Sequence, residues 1–370
     1  MSFKPKYLAY LIFPIALTFL FVGTQRNGNM MLFLTAGGFL LSFLIQDKWI
    51  KTFYLWSIAL GLIGYCFLIG KMDHTFYVLH MSAMDSLVKL SVAMLIYSVA
   101  SRIQVAEFES VFNVICILIL IECFLYILQY FGLNLLIAVS SSLGYEIRPG
   151  QGAATLGNIN FFAICLAITL PLFFRKRWAW CLLFIIPILI SARTAGAALA
   201  AAGAVAYWAW KTKGNSRLLT GLAILTIIGT GLTIFFVWFD PKSFALDPFR
   251  IGLWNTMLAS WHQWALIGNG IGSLPMLLKV EHAHNDFLEA IFEGGIPYFV
   301  CITGFVICFL RRSIREHNKN DLIIISGLIA LGISSLFHYP LHLAPSGFIA
   351  LVLLGMYTSG GRNGRLLNLR

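Results

Sequence analysis

Asp286, Glu289 and Glu293 stand at positions i, i+3 and i+7. A helix over them puts three carboxylates on one face. His282 and His284 flank Ala283 just upstream, and Asn285 completes the segment. A neutral imidazole suits general-base work near pH 7. Three arginines stand out in apolar or glycine-rich surroundings: Arg148 before Pro149-Gly150-Gln151-Gly152, Arg193 within Ser191-Ala192-Arg193-Thr194-Ala195-Gly196, and Arg250 before Ile251-Gly252-Leu253-Trp254. The guanidinium is planar, permanently charged and bidentate, which fits a pyrophosphate. Between Arg148 and the next apolar run lies Gly157-Asn158-Ile159-Asn160. Glycine lets a backbone approach a ligand closely, Asn158 or Asn160 can cap the helix that follows, and a helix N-terminus attracts anions. Together these residues suggest chemistry on a lipid-anchored pyrophosphate at the outer surface, with a neutral histidine as a suitable base.

Each feature has a plainer reading. The 148–160 segment serves equally as a capped polar turn, and Arg193 as an interfacial arginine reaching the headgroups. His282-x-His284 is a weak metal pair, because metal-binding helices use His at i and i+4. Gly268-Asn269-Gly270-Ile271-Gly272 follows no strand, so a dinucleotide-binding reading fails on context. Leu253, Trp254, Met257, Leu258 and Trp261 follow helical spacing and predict an amphipathic helix in the interface plane. His338 and His342, in Phe337-His338-Tyr339-Pro340-Leu341-His342-Leu343, are either interfacial or part of a second binding site.

The elements that must position these residues follow from composition. Of 370 residues, 59% are hydrophobic and 11% charged, and the mean hydropathy is +0.84. Soluble domains carry about 25% charged residues, so a soluble enzyme, a disordered chain and a disulfide scaffold are all excluded. Apolar runs cover 7–23, 30–45, 53–70, 87–100, 111–131, 158–174, 178–192, 194–210, 218–239, 287–310, 322–337 and 343–358. They are continuous rather than alternating, which argues against a membrane β-barrel. The expected fold is an all-α integral membrane protein, a single polytopic domain over 1–370 with about twelve transmembrane helices. The first run follows Lys4 and Lys6 and reads as a retained signal anchor. All seven cysteines lie inside apolar runs without a C-x-x-C pair, so they read as small buried hydrophobes. No disulfide, metal or other cofactor is implied.

The net charge of +11 is uneven along this topology. Loops on the side of the termini carry 18 of the 26 Lys and Arg residues, including Arg175, Lys176, Arg177, Arg311 and Arg312. By the positive-inside rule the termini are cytoplasmic. The basic excess is therefore a topology signal and predicts no nucleic-acid partner. The longer loops, 71–86, 132–157 and 240–286, fall on the outer side with the arginines and histidines singled out above; loops of this length usually have a function.

These residues, in this order and on one side, resemble the O-antigen ligase-like membrane glycosyltransferases (the Wzy_C superfamily). The resemblance runs from about 148 to 350. It rests on Arg148 with Gly157-Asn158-Ile159-Asn160, on Ser191-Ala192-Arg193-Thr194-Ala195, on Arg250 with Leu253-Trp254 and the glycine run, and on His284-Asn285 ahead of Gly295. Ile159 replaces the Pro of the family's Gly-Asn-Pro-Asn. The resemblance implies a GT-C-type helical enzyme of the bacterial inner membrane, with periplasmic loops over 132–157 and 240–286. It would move a glycan from undecaprenyl pyrophosphate to an acceptor hydroxyl, inverting and without metal. Carried over, Arg193, Arg250 and His284 would be catalytic, His284 as general base. Arg148, Asn158, Asn160, Asn285, Asp286, His282 and His338 would bind substrate. The acceptor would be lipid A–core, a growing glycan or a protein. Ligation to lipid A–core comes first, because the compact length leans away from the larger protein-glycosylating members. Three rivals are a polysaccharide transporter or flippase, a metal-using glycosyltransferase built on Asp73, His74, His80 and Asp85, and a non-catalytic assembly subunit.

Overall fold

The computed structural model describes residues 93, 96–97, 99–133, 154, 156, 158–212, 248–266, 268–269, 273–278, 280, 282–315, 319–341 and 343–367. The first three apolar runs, the run over 218–239, Arg148, His342 and the Asp73, His74, His80, Asp85 group lie outside the described residues. Among the described residues the regular structure is helical, with no strand. They fall into two compact units, one drawn from 99–212 and 319–367 and the other from 93, 96–97 and 248–315.

The first unit begins with α1 (Phe108–Tyr130). A 3-10 turn over Val105–Glu107 precedes it, and Gln104 N donates to Glu107 Oε2 in a capping box. With that turn α1 is the one helix, among the described residues, long and apolar enough to cross a membrane. Its 26 residues span about 39 Å. Phe108, Val111, Phe112, Ile115, Ile119, Cys123 and Tyr126 form its buried stripe at helical spacing. The opposite face exposes Ile117, Ile121 and Phe124. A helix that is apolar all round belongs in a core or in lipid, and α1 is buried along only one side.

The run over 158–174 forms α2 (Ile159–Thr169) and a 3-10 extension over Leu170–Phe174. Pro171 has no N–H with which to continue the α-ladder, and Thr169 Oγ1 donates back to the Cys165 carbonyl at 2.7 Å. From Phe161 to Phe174 every residue is buried, so α2 is the unit's central helix. The run over 178–192 is likewise mixed: a 3-10 turn over Ala179–Cys181, then α3 (Leu182–Ser191) with Pro187 inside it. Next come α4 (Ala195–Thr212), α9 (Lys319–Ser334) and α10 (Ala344–Leu367).

Small residues set how closely these helices pack. Gly203 of α4 lies under Ile333 of α9, and a Cβ on Gly327 would stand 2.8 Å from the Ile168 carbonyl oxygen of α2. Gly196 meets His338 beyond the end of α9, whereas Gly203 meets Ile333 and Ile329 within it. The helices α4 and α9 are therefore antiparallel. Phe161 packs edge-on against Tyr339 at 5.6 Å while Ile168 lies against Gly327, so α2 and α9 are antiparallel too.

Antiparallel packing gives the unit two distinct ends. At one, Arg175 Nη1 pairs with Glu109 at 2.7 Å, Arg175 Nε donates to Leu172 O, and Asn113 Oδ1 accepts from Arg175 Nη2 and Trp178 Nε1. The guanidinium also lies over the Phe112 ring at 5.2 Å. A charge buried this far needs all those partners. The other end carries Asn158, Arg193 and His338.

In the second unit, α5 (Pro248–Ala259) ends at Ser260, followed by the short α6 (Trp261–Trp264), α7 (Leu274–Leu278) and α8 (Asp286–Arg315). Leu253, Met257, Ala265, Leu274, Ala283 and Phe292 form its core. The predicted apolar stripe of α5 is split: Leu253 and Met257 are buried, while Leu258 and Trp261 are exposed. The predicted single run over 287–310 is broken at Gly295, whose φ of 71° and ψ of −173° are not helical. Only glycine holds that conformation without strain.

Candidate functional site

In the first unit three segments meet at one end of the bundle. Asn158 caps α2, its side chain accepting from Asn160 N at 2.8 Å. Proline is favoured at the first helical position, yet Ile159 starts the helix there with its cap intact. Asn160 Oδ1 accepts from Thr194 Oγ1 at 3.0 Å. This ties the start of α2 to the turn between α3 and α4.

That turn holds Arg193 at φ 51°. Ala192 N still donates to Ile188 O and Arg193 N to Ile190 O, as at a helix end. The position is one that glycine usually fills, and an L-residue there costs about 1–2 kcal/mol. The Arg193 side chain is exposed. Ser191 hydrogen-bonds Tyr126 at 2.9 Å and, through Oγ, the Ile188 carbonyl at 2.7 Å. Tyr126 stacks on Phe162 at 5.0 Å, and Gln129 Nε2 donates to Ala154 O at 2.9 Å. The C-terminal turns of α1 thereby anchor both the Arg193 turn and the approach to α2.

His338 completes this end. It is buried, and a Cβ on Gly196 would lie 3.0 Å from its ring. Gly196 thus leaves the space that the imidazole fills. His338 has a packing role that its position in the sequence did not suggest. Tyr126 and Gln129 were missed: in sequence they read as ordinary helix residues, and only the fold brings them beside the predicted ones, while Thr194, inside the Arg193 motif, gains its role from the bond to Asn160.

In the second unit the focus is the turn into α8. Asn285 Oδ1 accepts from Phe287 N and Leu288 N, both at 3.0 Å, which makes it the helix cap. Glu289 reaches back over the turn: Oε1 lies 3.0 Å from His282 Nδ1, and Oε2 accepts from Ala283 N at 2.8 Å. The Ala283 carbonyl accepts from Trp254 Nε1 at 2.7 Å, which ties α5 to the same turn. His284 stands next in the chain at φ 55°. The three carboxylates, expected on one helix face, are all buried: Glu289 within this network, Asp286 and Glu293 beside it on α8. Arg250 lies in the first turn of α5, half-buried.

Gly268 and Asn269, which open the glycine run, have a structural role. At the break in α8, Ile296 N donates to Ala265 O instead of Phe292 O, and Phe292 O accepts from Asn269 N at 3.0 Å. The 265–269 loop thus substitutes for a helical hydrogen bond. Gly268, at φ 74°, lies against the Glu293 carbonyl, where a side chain would collide with backbone.

The structure therefore groups Asn158, Asn160, Arg193 and His338 in one unit, and Arg250, His282, His284, Asn285 and Asp286 in the other. Arg148 falls outside the described residues. Among the described residues, no three His, Cys, Asp or Glu side chains gather as metal ligands would. Set against models of known protein families the chain matches none, and set against curated proteins it likewise matches none.

Proposed function

We propose that this chain is a twelve-span membrane glycosyltransferase of the O-antigen ligase-like kind, moving a glycan from undecaprenyl pyrophosphate to an acceptor hydroxyl at the periplasmic face. The observation that carries this reading is the company kept by Arg193: an exposed guanidinium on a strained turn, at the bundle end that also holds the capped start of α2. Such strain persists only where the surroundings hold it, and it clusters at working sites. The apolar outward face of α1 supports the membrane setting. The cytoplasmic placing of the termini rests on the distribution of Lys and Arg.

In this reading Arg148, Arg193 and Arg250 neutralise the departing pyrophosphate, the largest charge change in the reaction. Asn158 and Asn160 shape the anion-facing helix start. His284 takes the acceptor proton as general base, with Asn285 and Asp286 orienting it or the sugar and His282 on the substrate. Attack on the face of C1 opposite the pyrophosphate inverts the anomeric centre.

Ligation to lipid A–core is the first choice of reaction, with polymerisation and protein O-glycosylation as the other acceptor classes. Deleting the gene and banding the lipopolysaccharide separates them. Loss of all polymer from lipid A–core indicates ligation, and a single-repeat band indicates polymerisation. Unchanged banding with loss of glycoprotein staining indicates protein transfer. Unchanged banding with unchanged glycoproteins contradicts the proposal.

A further inference from the structure

The end of the first unit opposite Arg193 carries basic and aromatic side chains that the transfer reaction does not use. The three cations of Arg175-Lys176-Arg177 are not equivalent. Arg175 is buried and paired with Glu109 at 2.7 Å, whereas Lys176 and Arg177 are exposed. The turn that carries them is held in place: Trp178 N donates to Arg175 O at 2.9 Å, and Trp178 Nε1 to Asn113 Oδ1 at 2.8 Å. The Arg177 guanidinium lies over the Trp178 ring, 5.6 Å from its centre. The Phe174 ring meets Trp208 of α4 at 4.9 Å, which brings the last turn of α4 to the same place. Lys211 follows one turn beyond Trp208, its ammonium 4.5 Å from the centre of the Trp210 ring. Trp180 and Trp210 are exposed.

The remaining charges described at this end cancel. Arg102 and Glu107 stand just before α1, and Lys319 and Asp321 open α9. With Arg175 neutralised by Glu109, the excess is Lys176, Arg177 and Lys211. We propose that these three cations, with Trp180 and Trp210 at their edge, form a site for the phosphate headgroup of an acidic phospholipid in the cytoplasmic leaflet. The inference rests on the membrane setting proposed above, not on the transfer step. Tryptophan settles at the headgroup level of a bilayer. Lysine and arginine lay their apolar stems along it and present their charge to the phosphates, and an anionic leaflet attracts such clusters. A zwitterionic headgroup brings its own cation, which three positive side chains repel. The site is also pre-organised, because Trp178 and Trp208 are each fixed by a partner before any lipid arrives.

Native mass spectrometry of the full chain in nonionic detergent, titrated with phosphatidylglycerol or phosphatidylcholine, measures the affinity for the first lipid bound. The expected wild-type preference for phosphatidylglycerol is at least about tenfold. The variant Lys176→Gln/Arg177→Gln/Lys211→Gln should fall to within about twofold of no preference. Arg177→Gln and Lys211→Gln alone should each lose roughly three- to fivefold, and they decide the matter if the triple variant fails to fold. Arg311→Gln/Arg312→Gln/Arg315→Gln removes the same charge from the other unit and should keep the preference. The site is overturned if the first triple variant keeps the wild-type preference, if the matched variant loses as much, or if an equal concentration of inorganic phosphate displaces the lipid. A wild-type chain that inserts into vesicles yet shows no preference overturns the headgroup site alone. One that floats with neither phosphatidylcholine nor phosphatidylglycerol vesicles overturns the membrane setting and this site with it.

Discussion

Thr194 Oγ1 donates a 3.0 Å hydrogen bond to Asn160 Oδ1, joining two segments that lie 34 residues apart in the chain. The same hydroxyl reaches the Ala192 carbonyl at 3.2 Å, so one side chain closes the Arg193 turn and fixes it to the start of α2. Removing it frees the turn without touching the arginine. Thr194→Val should cost about 1 kcal/mol, seen as a lower melting temperature in detergent, and should lower transfer while insertion stays normal. Unchanged transfer would show that the turn needs no such tether.

Arg193 allows stability and activity to be separated. At φ 51° an arginine is strained and a glycine is not. Arg193→Gly should leave the fold as stable or more so, by up to about 1–2 kcal/mol, while abolishing transfer. Arg193→Ala should abolish transfer without that gain. Thermal melts and a transfer assay on the pair check this. A glycine variant that melts lower would mean that the side chain holds the turn.

The grafted loop makes a sharp forecast for glycines. A Cβ at Gly268 would collide with the Glu293 carbonyl, whereas one at Gly304 or Gly252 would meet nothing within 4 Å. Gly268→Ala should destabilise by about 1–3 kcal/mol or more. Gly304→Ala and Gly252→Ala should be neutral or stabilising by up to about 1 kcal/mol, the usual helix preference for alanine. Limited proteolysis and melting of the three variants decide it.

The cap of α2 should behave as an ordinary cap. Asn158→Ala removes the acceptor for Asn160 N and should cost about 1 kcal/mol. Asn158→Asp should retain the stability but weaken the binding of a pyrophosphate, because it adds a negative charge where an anion is expected. A donor-binding titration on both variants tests the second half.

Much of the helical plan could be read from hydropathy alone. The runs at 111–131, 194–210 and 322–337 match α1, α4 and α9 within a few residues, because long apolar segments have few other options. The breaks were harder. Pro171 and Pro187 are visible in sequence, but whether a proline ends, kinks or merely modifies a helix depends on what packs around it. The run over 287–310 read as continuous, and the break at Gly295 became intelligible only with the 265–269 loop, whose Ala265 carbonyl and Asn269 N–H take over the displaced bonds. The roles within the site were least legible. Asn285 and Asp286 looked alike beside His284, yet one caps the helix and the other is buried on it. Glu289 was one of three carboxylates in a row, and nothing in its spacing marked it as the one that turns back to His282.

The most direct test of the central claim is reconstitution of the purified chain in proteoliposomes with undecaprenyl-pyrophosphate-linked glycan and lipid A–core, with and without EDTA, beside Arg193→Ala and Arg250→Ala. Transfer of glycan to lipid A–core by the wild type, unaffected by EDTA and lost in both variants, is the result predicted. Near-normal transfer by the variants, reversible loss with chelator, or no transfer to lipid A–core, glycan or protein acceptor would contradict it.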